Sequence, residues 1–161
     1  MAASSSSSSR LWKYDVFLSF RGEDTRGGFT DHLYEAFVQN GIHTFKDDDE
    51  MEEGTNIYSE LFAAIEASRM AVVVISEHYA SSRWCLAELV KILECREHMG
   101  MKVMPIFYKV DLSDVRNQRG SFGKAFLKHE ARFGEDDSKV LQWRKALFEI
   151  AGLKAWASDN R

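Results

Sequence analysis

The stretch Met70-Ala71-Val72-Val73-Val74-Ile75-Ser76 decides the fold class of this 161-residue chain. It is rich in β-branched residues and lacks polar alternation, which is typical of a strand buried on both faces of a parallel sheet. Shorter apolar runs predict further strands over residues 14–20, 42–45 and 102–108. The strands alternate with helical patterns, so the sequence predicts an α/β fold with a helix-covered parallel sheet. The pattern alone does not place a fifth strand.

Helical spacing fills the segments between these strands. Four apolar residues predict a crossover helix that stops at Gly41, namely Phe29, Leu33, Ala36 and Phe37. Further helices are predicted over residues 57–68, 84–99, 122–133 and 140–153. Residues 21–28 are predicted to form a loop, and residues 111–119 a loop or broken turns. Either Ser81 or Ser82 is expected to cap the helix that begins near residue 84.

Composition narrows the class of protein. The chain is 45% hydrophobic and 29% charged, as expected of one globular domain and not of a disordered chain. No apolar run approaches the ~20 residues that span a bilayer. A net charge of −4, from 21 basic and 25 acidic residues, gives no bulk electrostatic reason to expect nucleic-acid binding.

The termini and cysteines suggest an intracellular domain. The Ser-rich residues 1–12 lack the apolar segment of a secretory signal and are predicted to be a disordered tail, with a short transit peptide as the alternative. If Cys85 and Cys95 share one helix, their Cα atoms lie about 15 Å apart, beyond disulfide reach, which favours a reducing compartment. The predicted domain covers residues 13–156, followed by a tail or linker at 157–161.

The loop after the first strand is the first candidate binding segment, because ligands of open parallel sheets bind beyond the strands' carboxyl ends. Arg21 offers a fork-shaped cation and Gly22 permits close backbone approach, which suits a phosphate or diphosphate. The alternative is a strand-end turn in which Arg21 or Arg26 pairs with Glu23 or Asp24. The segment contains neither a dinucleotide fingerprint nor a P-loop motif.

The second candidate segment is acidic. Six of the seven residues from 47 to 53 are Asp or Glu, and Gly54 follows. A solvated loop is the simplest interpretation. The spacing does not match a calcium loop, so a docking surface for a basic partner is favoured over a metal site.

Glu88 is the candidate of the third segment, residues 81–89. Its neighbours three and four positions away on a helix are Trp84, Cys85, Lys91 and Ile92, and three of these are apolar. Such a carboxylate is expected to be partly desolvated, with a raised pKa and a strengthened attraction for cations. The alternative is a surface ion pair between Glu88 and Lys91.

Other common catalytic arrangements are not indicated. There is no G-x-S-x-G motif, and neither cysteine has an identifiable histidine partner. The five histidines are scattered singly and no metal site is predicted.

Several motifs, in order, resemble those of plant Toll/interleukin receptor (TIR) domains over residues 13–156. The matching segments are residues 14–26 (YDVFLSFRGEDTR), 43–48 (HTFKDD) with Gly54, 76–89 (SEHYASSRWCLAEL), 105–108 (PIFY), Val115-Arg116 and Trp156.

The resemblance implies a flavodoxin-like fold with a five-stranded parallel sheet. It implies an NAD+ or NADP+ hydrolase that releases nicotinamide and ADP-ribose or cyclic ADP-ribose after self-association. NAD+ or NADP+ is then the substrate, with no permanently bound cofactor. Such domains signal plant disease resistance and hypersensitive cell death in the cytoplasm, with the nucleus as a second location. Expected partners are a second copy of the chain and other TIR proteins, with no membrane.

The resemblance also assigns roles to individual residues. The catalytic residue is Glu88. The substrate-binding residues are Arg21, Gly22, Glu23, Asp24, Thr25, Arg26, Gly54 and Trp84. The self-association residues are Asp31, His32, Gly152, Lys154 and Trp156.

Three departures from the family pattern weaken the expected activity. Leu112 replaces a usual proline and is expected to loosen the loop after the fourth strand. Glu53 replaces a basic residue and opposes binding of an anionic dinucleotide, while Ala155 replaces a glycine near a surface used for association.

Two alternative functions remain open. The first is a non-enzymatic module that signals by homotypic TIR contacts. The second is nucleic-acid processing by assembled filaments, whose local basis is limited to Lys124, Lys128 and Lys139.

Overall fold

A parallel sheet forms the centre of the molecule in a computed structural model that describes residues 12–25, 27–46, 57–153 and 156–157. Its strands are β1 (Tyr14–Ser19), β2 (Thr44–Lys46), β3 (Ser68–Ile75), β4 (Lys102–Phe107) and β5 (Trp156–Ala157). The order across the sheet is β2-β1-β3-β4-β5, and all pairings are parallel. The long strand β3 lies at the centre, as its unbroken apolar run predicts.

The predicted α/β architecture, a parallel sheet flanked by helices, is confirmed. Five strands were expected. Four strands of three or more residues form most of the sheet. The fifth position consists of two residues, with Trp156 opposite Ile106 and Ala157 opposite Phe107.

Seven helices are seen in the described residues. They are α1 (Gly22–Thr25), α2 (Phe29–Gln39), α3 (Ile57–Glu66), α4 (Arg83–Met99), α5 (Leu112–Asn117), α6 (Ser121–Phe133) and α7 (Ser138–Ala151). A short 3₁₀ turn, Tyr79–Ser81, precedes α4. No helix in this part of the chain combines the length and apolar character needed to cross a membrane.

Two segments predicted without helix contain short helices. Residues 21–28 include the four-residue α1, and residues 111–119 include α5. Asp111 caps α5 by accepting a 2.8 Å hydrogen bond from the backbone N of Ser113. The α5 helix begins at Leu112, the residue that replaces the family's proline, so this position opens a capped helix instead of loosening a loop.

Side-chain alternation along β1 and β3 divides the core into two layers. Val16, Leu18 and Phe20 pack with Val72 and Val74 in the layer that contains the apolar side of α2. Phe17, Ala71, Val73 and Ile75 point the other way, into a larger layer shared with α3, α4, α6 and α7. Phe17 and Ser19 of β1 therefore lie on the α4 side of the sheet.

Some predicted segments and site residues lie outside the residues that the structure describes. The tails at residues 1–11 and 158–161 and the whole acidic segment at residues 47–53 lie outside them. So do Arg26, Gly54 and Lys154 among the predicted site residues, and Glu53 and Ala155 among the departures.

Candidate active site

Helix α4 carries Glu88 on its buried face. The helix begins after Ser82, whose side chain accepts a 3.1 Å hydrogen bond from the backbone N of Cys85, so Ser82 and not Ser81 is the cap. Cys85, Glu88, Leu89 and Ile92 are all buried, at the spacing of one helical stripe. Glu88 is thus an acid within the apolar side of the helix, and it is 1% exposed.

Ser19, at the end of β1, contacts this acid directly. Its position in the alternation is that of Phe17, so its side chain points toward α4. The fully buried Ser19 hydroxyl donates a 2.7 Å hydrogen bond to Glu88 Oε1. A buried carboxylate needs such a donor, because removal from water is costly unless hydrogen bonds replace the lost solvent.

Tyr79 extends this contact into a chain of hydrogen bonds. Its hydroxyl lies 2.8 Å from Ser19 Oγ, and either atom can be the donor. The same hydroxyl donates to the backbone O of Cys85 at 3.1 Å, and Cys85 Sγ contacts the backbone O of Phe20 at 3.4 Å. The end of β1, the 3₁₀ turn and the first turn of α4 are therefore joined around Glu88.

Neither Ser19 nor Tyr79 was among the predicted site residues. One signal was available for Ser19, since it is a hydroxyl residue between Leu18 and Phe20 in an otherwise apolar strand end. Tyr79 offered no comparable signal, because a tyrosine in a turn is ordinarily a surface or rim residue.

The alternative pairing of Glu88 with Lys91 is wrong. Lys91 Nζ lies 2.6 Å from Glu66 Oε2 on α3. This hydrogen bond is the main cause that raises the pKa of Lys91 above its ordinary value of 10.5. Glu88 and Lys91 contact different partners because Glu88 lies on the buried face of α4, whereas Lys91 lies on the side of α4 that packs against α3.

Arg21 lies two residues after the end of β1. Its contacts agree in part with the alternative prediction of an ion pair at the strand end. Its guanidinium pairs with Glu23 at 3.2 Å, but Glu23 is 78% exposed, so this ion pair is weak. The buried Nε of Arg21 has no hydrogen-bond partner within the described residues. An incoming anionic acceptor would satisfy this donor.

Asp24, predicted to contact the substrate, holds the loop that follows β3. Its carboxylate accepts hydrogen bonds from Ser76 Oγ at 2.5 Å and from the backbone N of His78 at 2.7 Å, and it pairs with His78 Nδ1 at 2.9 Å. Burial alone would raise the pKa of Asp24, but these hydrogen bonds outweigh it and keep the pKa below 3.8. Both carboxylate oxygens are therefore already bonded within the chain.

Three other predicted binding residues of the first loop, Gly22, Glu23 and Thr25, belong to α1. Gly22 and Thr25 are buried there, and Thr25 Oγ1 accepts a 2.9 Å hydrogen bond from Thr30 Oγ1. Thr25 thus supports the start of α2 through its side chain.

Trp84 packs against α3. Its ring lies 4.5 Å from that of Tyr58, centroid to centroid. A cavity of about 390 Å³ opens nearby between α3, α4 and α7, with Tyr58, Phe62 and Trp143 among its lining residues. Neither Trp84 nor Glu88 is among them, and Trp84 is half-buried whereas Glu88 is buried.

The predicted self-association residues lie on separate elements. Asp31 accepts a 2.7 Å hydrogen bond from the backbone N of Gly27 and lies 3.8 Å from Lys46 Nζ, whereas His32 on α2 and Gly152 after α7 are exposed. Trp156 is described through its backbone pairing with Ile106.

Comparison with known proteins agrees with this architecture. The family model described as "TIR domain" matches residues 13–161. TMV resistance protein N of Nicotiana glutinosa is 58% identical over 159 residues, and disease resistance protein RPV1 of Vitis rotundifolia is 56% identical over 158 residues. These matches cover 99% and 96% of this chain but 14% and 11% of the relatives' lengths.

A solved structure is also similar. It is described as the activated Roq1 resistosome directly recognising the pathogen effector XopQ, and its TIR domains match with a TM-score of 0.83 and 53% identity. The match covers 92% of this chain and 89% of that chain. The extent of the family match, together with the parallel sheet and its covering helices, shows that the chain belongs to the TIR domain family.

Proposed function

We propose that this domain cleaves the glycosidic bond between nicotinamide and ribose in NAD+ or NADP+ once it has self-associated, and thereby signals disease resistance. The observation that carries the proposal is the buried carboxylate of Glu88, fixed by Ser19 where β1 and α4 meet. The relatives named as disease resistance proteins supply the biological setting.

One carboxylate is sufficient for this reaction. Nicotinamide is a cationic leaving group in NAD+, so the bond to C1′ of the ribose breaks without a general acid, unlike an ordinary glycosidic bond. Glu88 would hold the ribose hydroxyls and stabilise the positive charge that develops on the sugar. Water then adds to C1′ and releases a proton, giving ADP-ribose. Capture by the adenine of the same molecule gives the cyclic product.

Arg21 is the residue that we assign to the diphosphate. It lies two positions after Ser19, and its buried Nε has no hydrogen-bond partner among the described residues. Its pairing with an exposed Glu23 is weak enough for a diphosphate to replace it. The Asp24 carboxylate would hold the neighbouring loop in place and not the substrate.

Access to Glu88 requires a rearrangement. Because Glu88 is 1% exposed, a dinucleotide reaches its carboxylate only after neighbouring side chains move. We propose that self-association drives this movement, which makes the rate depend on protein concentration. The similar Roq1 TIR domains belong to a structure described as an activated resistosome, which supports self-association as part of activation.

Helix α7 offers a surface for self-association. Leu141 and Phe148 are 49% and 58% exposed, and their spacing of seven residues places them on the same face of the helix. This observation equally supports the second candidate function, a non-enzymatic module that signals through homotypic TIR contacts.

The deciding experiment measures nicotinamide release from NAD+ at increasing protein concentration in a crowding agent. We expect the rate per molecule to rise with concentration and the Glu88→Ala variant to lose at least about 100-fold of the rate. Glu94→Gln, which changes an exposed acid on the same helix, is the matched control and retains activity. No NAD+ loss at any concentration, with self-association intact, would instead support the non-enzymatic module.

A further inference from the structure

Ser19 contacts Glu88 directly, and Tyr79 contacts Ser19. We propose that these are positioning residues, with Tyr79 orienting the Ser19 hydroxyl and Ser19 fixing the Glu88 carboxylate for reaction. This inference rests on the proposed function, since it concerns how the same carboxylate is prepared for the substrate.

The geometry gives Ser19 a specific task. Its hydroxyl donates to Glu88 Oε1 at 2.7 Å, and Ser19 is fully buried, so water does not compete for that donor. A donor aimed at a carboxylate favours the ionised form and fixes the direction of the other oxygen. An ionised, oriented carboxylate is what stabilisation of a developing sugar cation requires.

Tyr79 determines which way this hydroxyl points. A serine hydroxyl rotates freely about its C–O bond, but it carries one proton, and Ser19 Oγ has Tyr79 Oη 2.8 Å away. Because Ser19 donates its one proton to Glu88, Tyr79 is the donor in this contact, and its one proton is shared between Ser19 Oγ and the backbone O of Cys85. Tyr79 is itself held, because it is fully buried and its hydroxyl lies 3.1 Å from the backbone O of Cys85.

Four charged or titratable groups near Glu88 on the neighbouring elements have partners of their own. Lys91, one turn along α4, is bonded to Glu66, and Arg21, beyond the end of β1, pairs with Glu23. Asp24 is bonded to Ser76 and His78. Cys85, one turn before Glu88, contacts the backbone O of Phe20. Ser19 is thus the hydroxyl that joins the carboxylate to the strand end.

The test compares pH profiles of nicotinamide release. Ser19→Ala should lower kcat about tenfold with little change in KM, and should move the acid limb of the profile up by about one pH unit, because the charged carboxylate loses a donor. Tyr79→Phe should move the limb in the same direction by less. Ser19→Thr keeps a hydroxyl and should restore the wild-type limb.

Ser68→Ala provides the matched control. Ser68 is also a buried serine of the sheet, but it lies at the start of β3 and donates to the backbone O of Ala64 at 2.7 Å. This variant should lose stability and keep the wild-type pH profile. A Ser19→Ala variant with an unchanged acid limb, or a kcat loss that Ser68→Ala reproduces, would overturn the proposal.

A second measurement is independent of activity. A double-mutant cycle of Ser19→Ala and Glu88→Met, followed by denaturant unfolding, should show about a tenfold departure from additivity in the unfolding equilibrium constant. A parallel cycle of Ser19→Ala and Tyr79→Phe leaves Glu88 in place. Additive effects in both cycles would contradict the positioning role. If wild-type protein releases no nicotinamide, the proposed function fails, while the cycles still decide whether Ser19 orients Glu88.

Discussion

Asp24 Oδ2 accepts a 2.5 Å hydrogen bond from Ser76 Oγ, although the two residues are 52 positions apart in sequence. This contact joins α1, just after β1, to the residue that follows β3. With the two hydrogen bonds from His78, it fixes two adjacent strand ends at the edge of the sheet where Glu88 lies.

The first prediction concerns Asp24→Asn. Loss of the charge weakens three hydrogen bonds and should destabilise the domain by about 2 kcal/mol at pH 7, measured by urea unfolding. Because the folded-state pKa of Asp24 lies below 3.8, its contribution is fully present above that pH and is lost as pH falls through the folded value. The difference between wild type and variant should therefore persist at pH 5 and shrink below pH 3.8.

Asp111→Asn is the control for this change. Asp111 caps α5 on the surface, and asparagine caps a helix about as well as aspartate. We expect an unchanged unfolding midpoint at pH 7. Equal losses in the two variants would mean that the Asp24 network contributes nothing beyond an ordinary surface carboxylate.

The second prediction concerns acid sensitivity near neutral pH. His129 is 6% exposed, its Nε2 lies 2.8 Å from the backbone O of Ala80, and its ring packs 5.0 Å from that of Trp143. Burial lowers its pKa below 6.5, more than the hydrogen bond to Ala80 raises it. As pH falls below 6.5, His129 is protonated more readily in the unfolded chain than in the folded chain. The free energy of unfolding should therefore fall.

The slope due to His129 should reach at most about 1.4 kcal/mol per pH unit. His129→Gln keeps a donor near Ala80 and should remove this slope between pH 6.5 and pH 5 while lowering stability overall. His98→Gln, at an exposed position of α4, should leave the slope unchanged. A slope that survives in His129→Gln would assign the acid sensitivity to another group.

The third prediction tests close packing between α5 and α6. A Cβ added at Gly123 would lie 2.8 Å from the backbone O of Gln118, closer than such atoms approach. Gly123→Ala should therefore destabilise the domain by about 1–3 kcal/mol in thermal or urea unfolding. Gly152→Ala is the control, since its Cβ would meet ordinary contacts of 3.5 Å or more, and it should unfold like wild type.

The fourth prediction is that Lys91 takes no part in nicotinamide release. Lys91 pairs with Glu66 and not with Glu88, so Lys91→Met should change stability by less than about 1 kcal/mol. The rate of nicotinamide release should stay within about twofold of wild type. A large loss of rate with normal folding would show that Lys91 supports Glu88 or the substrate.

The sequence alone determined the layers of this domain and the environment of its central acid. The apolar run of β3 predicted the buried middle strand, and the motifs around Arg21 and Glu88 indicated the family. Helical spacing also placed Glu88 beside Cys85 and Ile92, which are buried. These features follow from local periodicity, because burial of one face imposes a repeat on the sequence.

Only the tertiary structure decided which partner each polar side chain took. Ser19 and Glu88 are 69 positions apart, and Tyr79 reaches the same point from a third segment. Lys91 pairs with Glu66 and not with Glu88 one turn away, and Asp24 accepts a hydrogen bond from Ser76. Hydrogen bonds depend on distance and direction to within fractions of an ångström, and the packing of strands against helices fixes these, whereas periodicity fixes only the face on which a side chain lies.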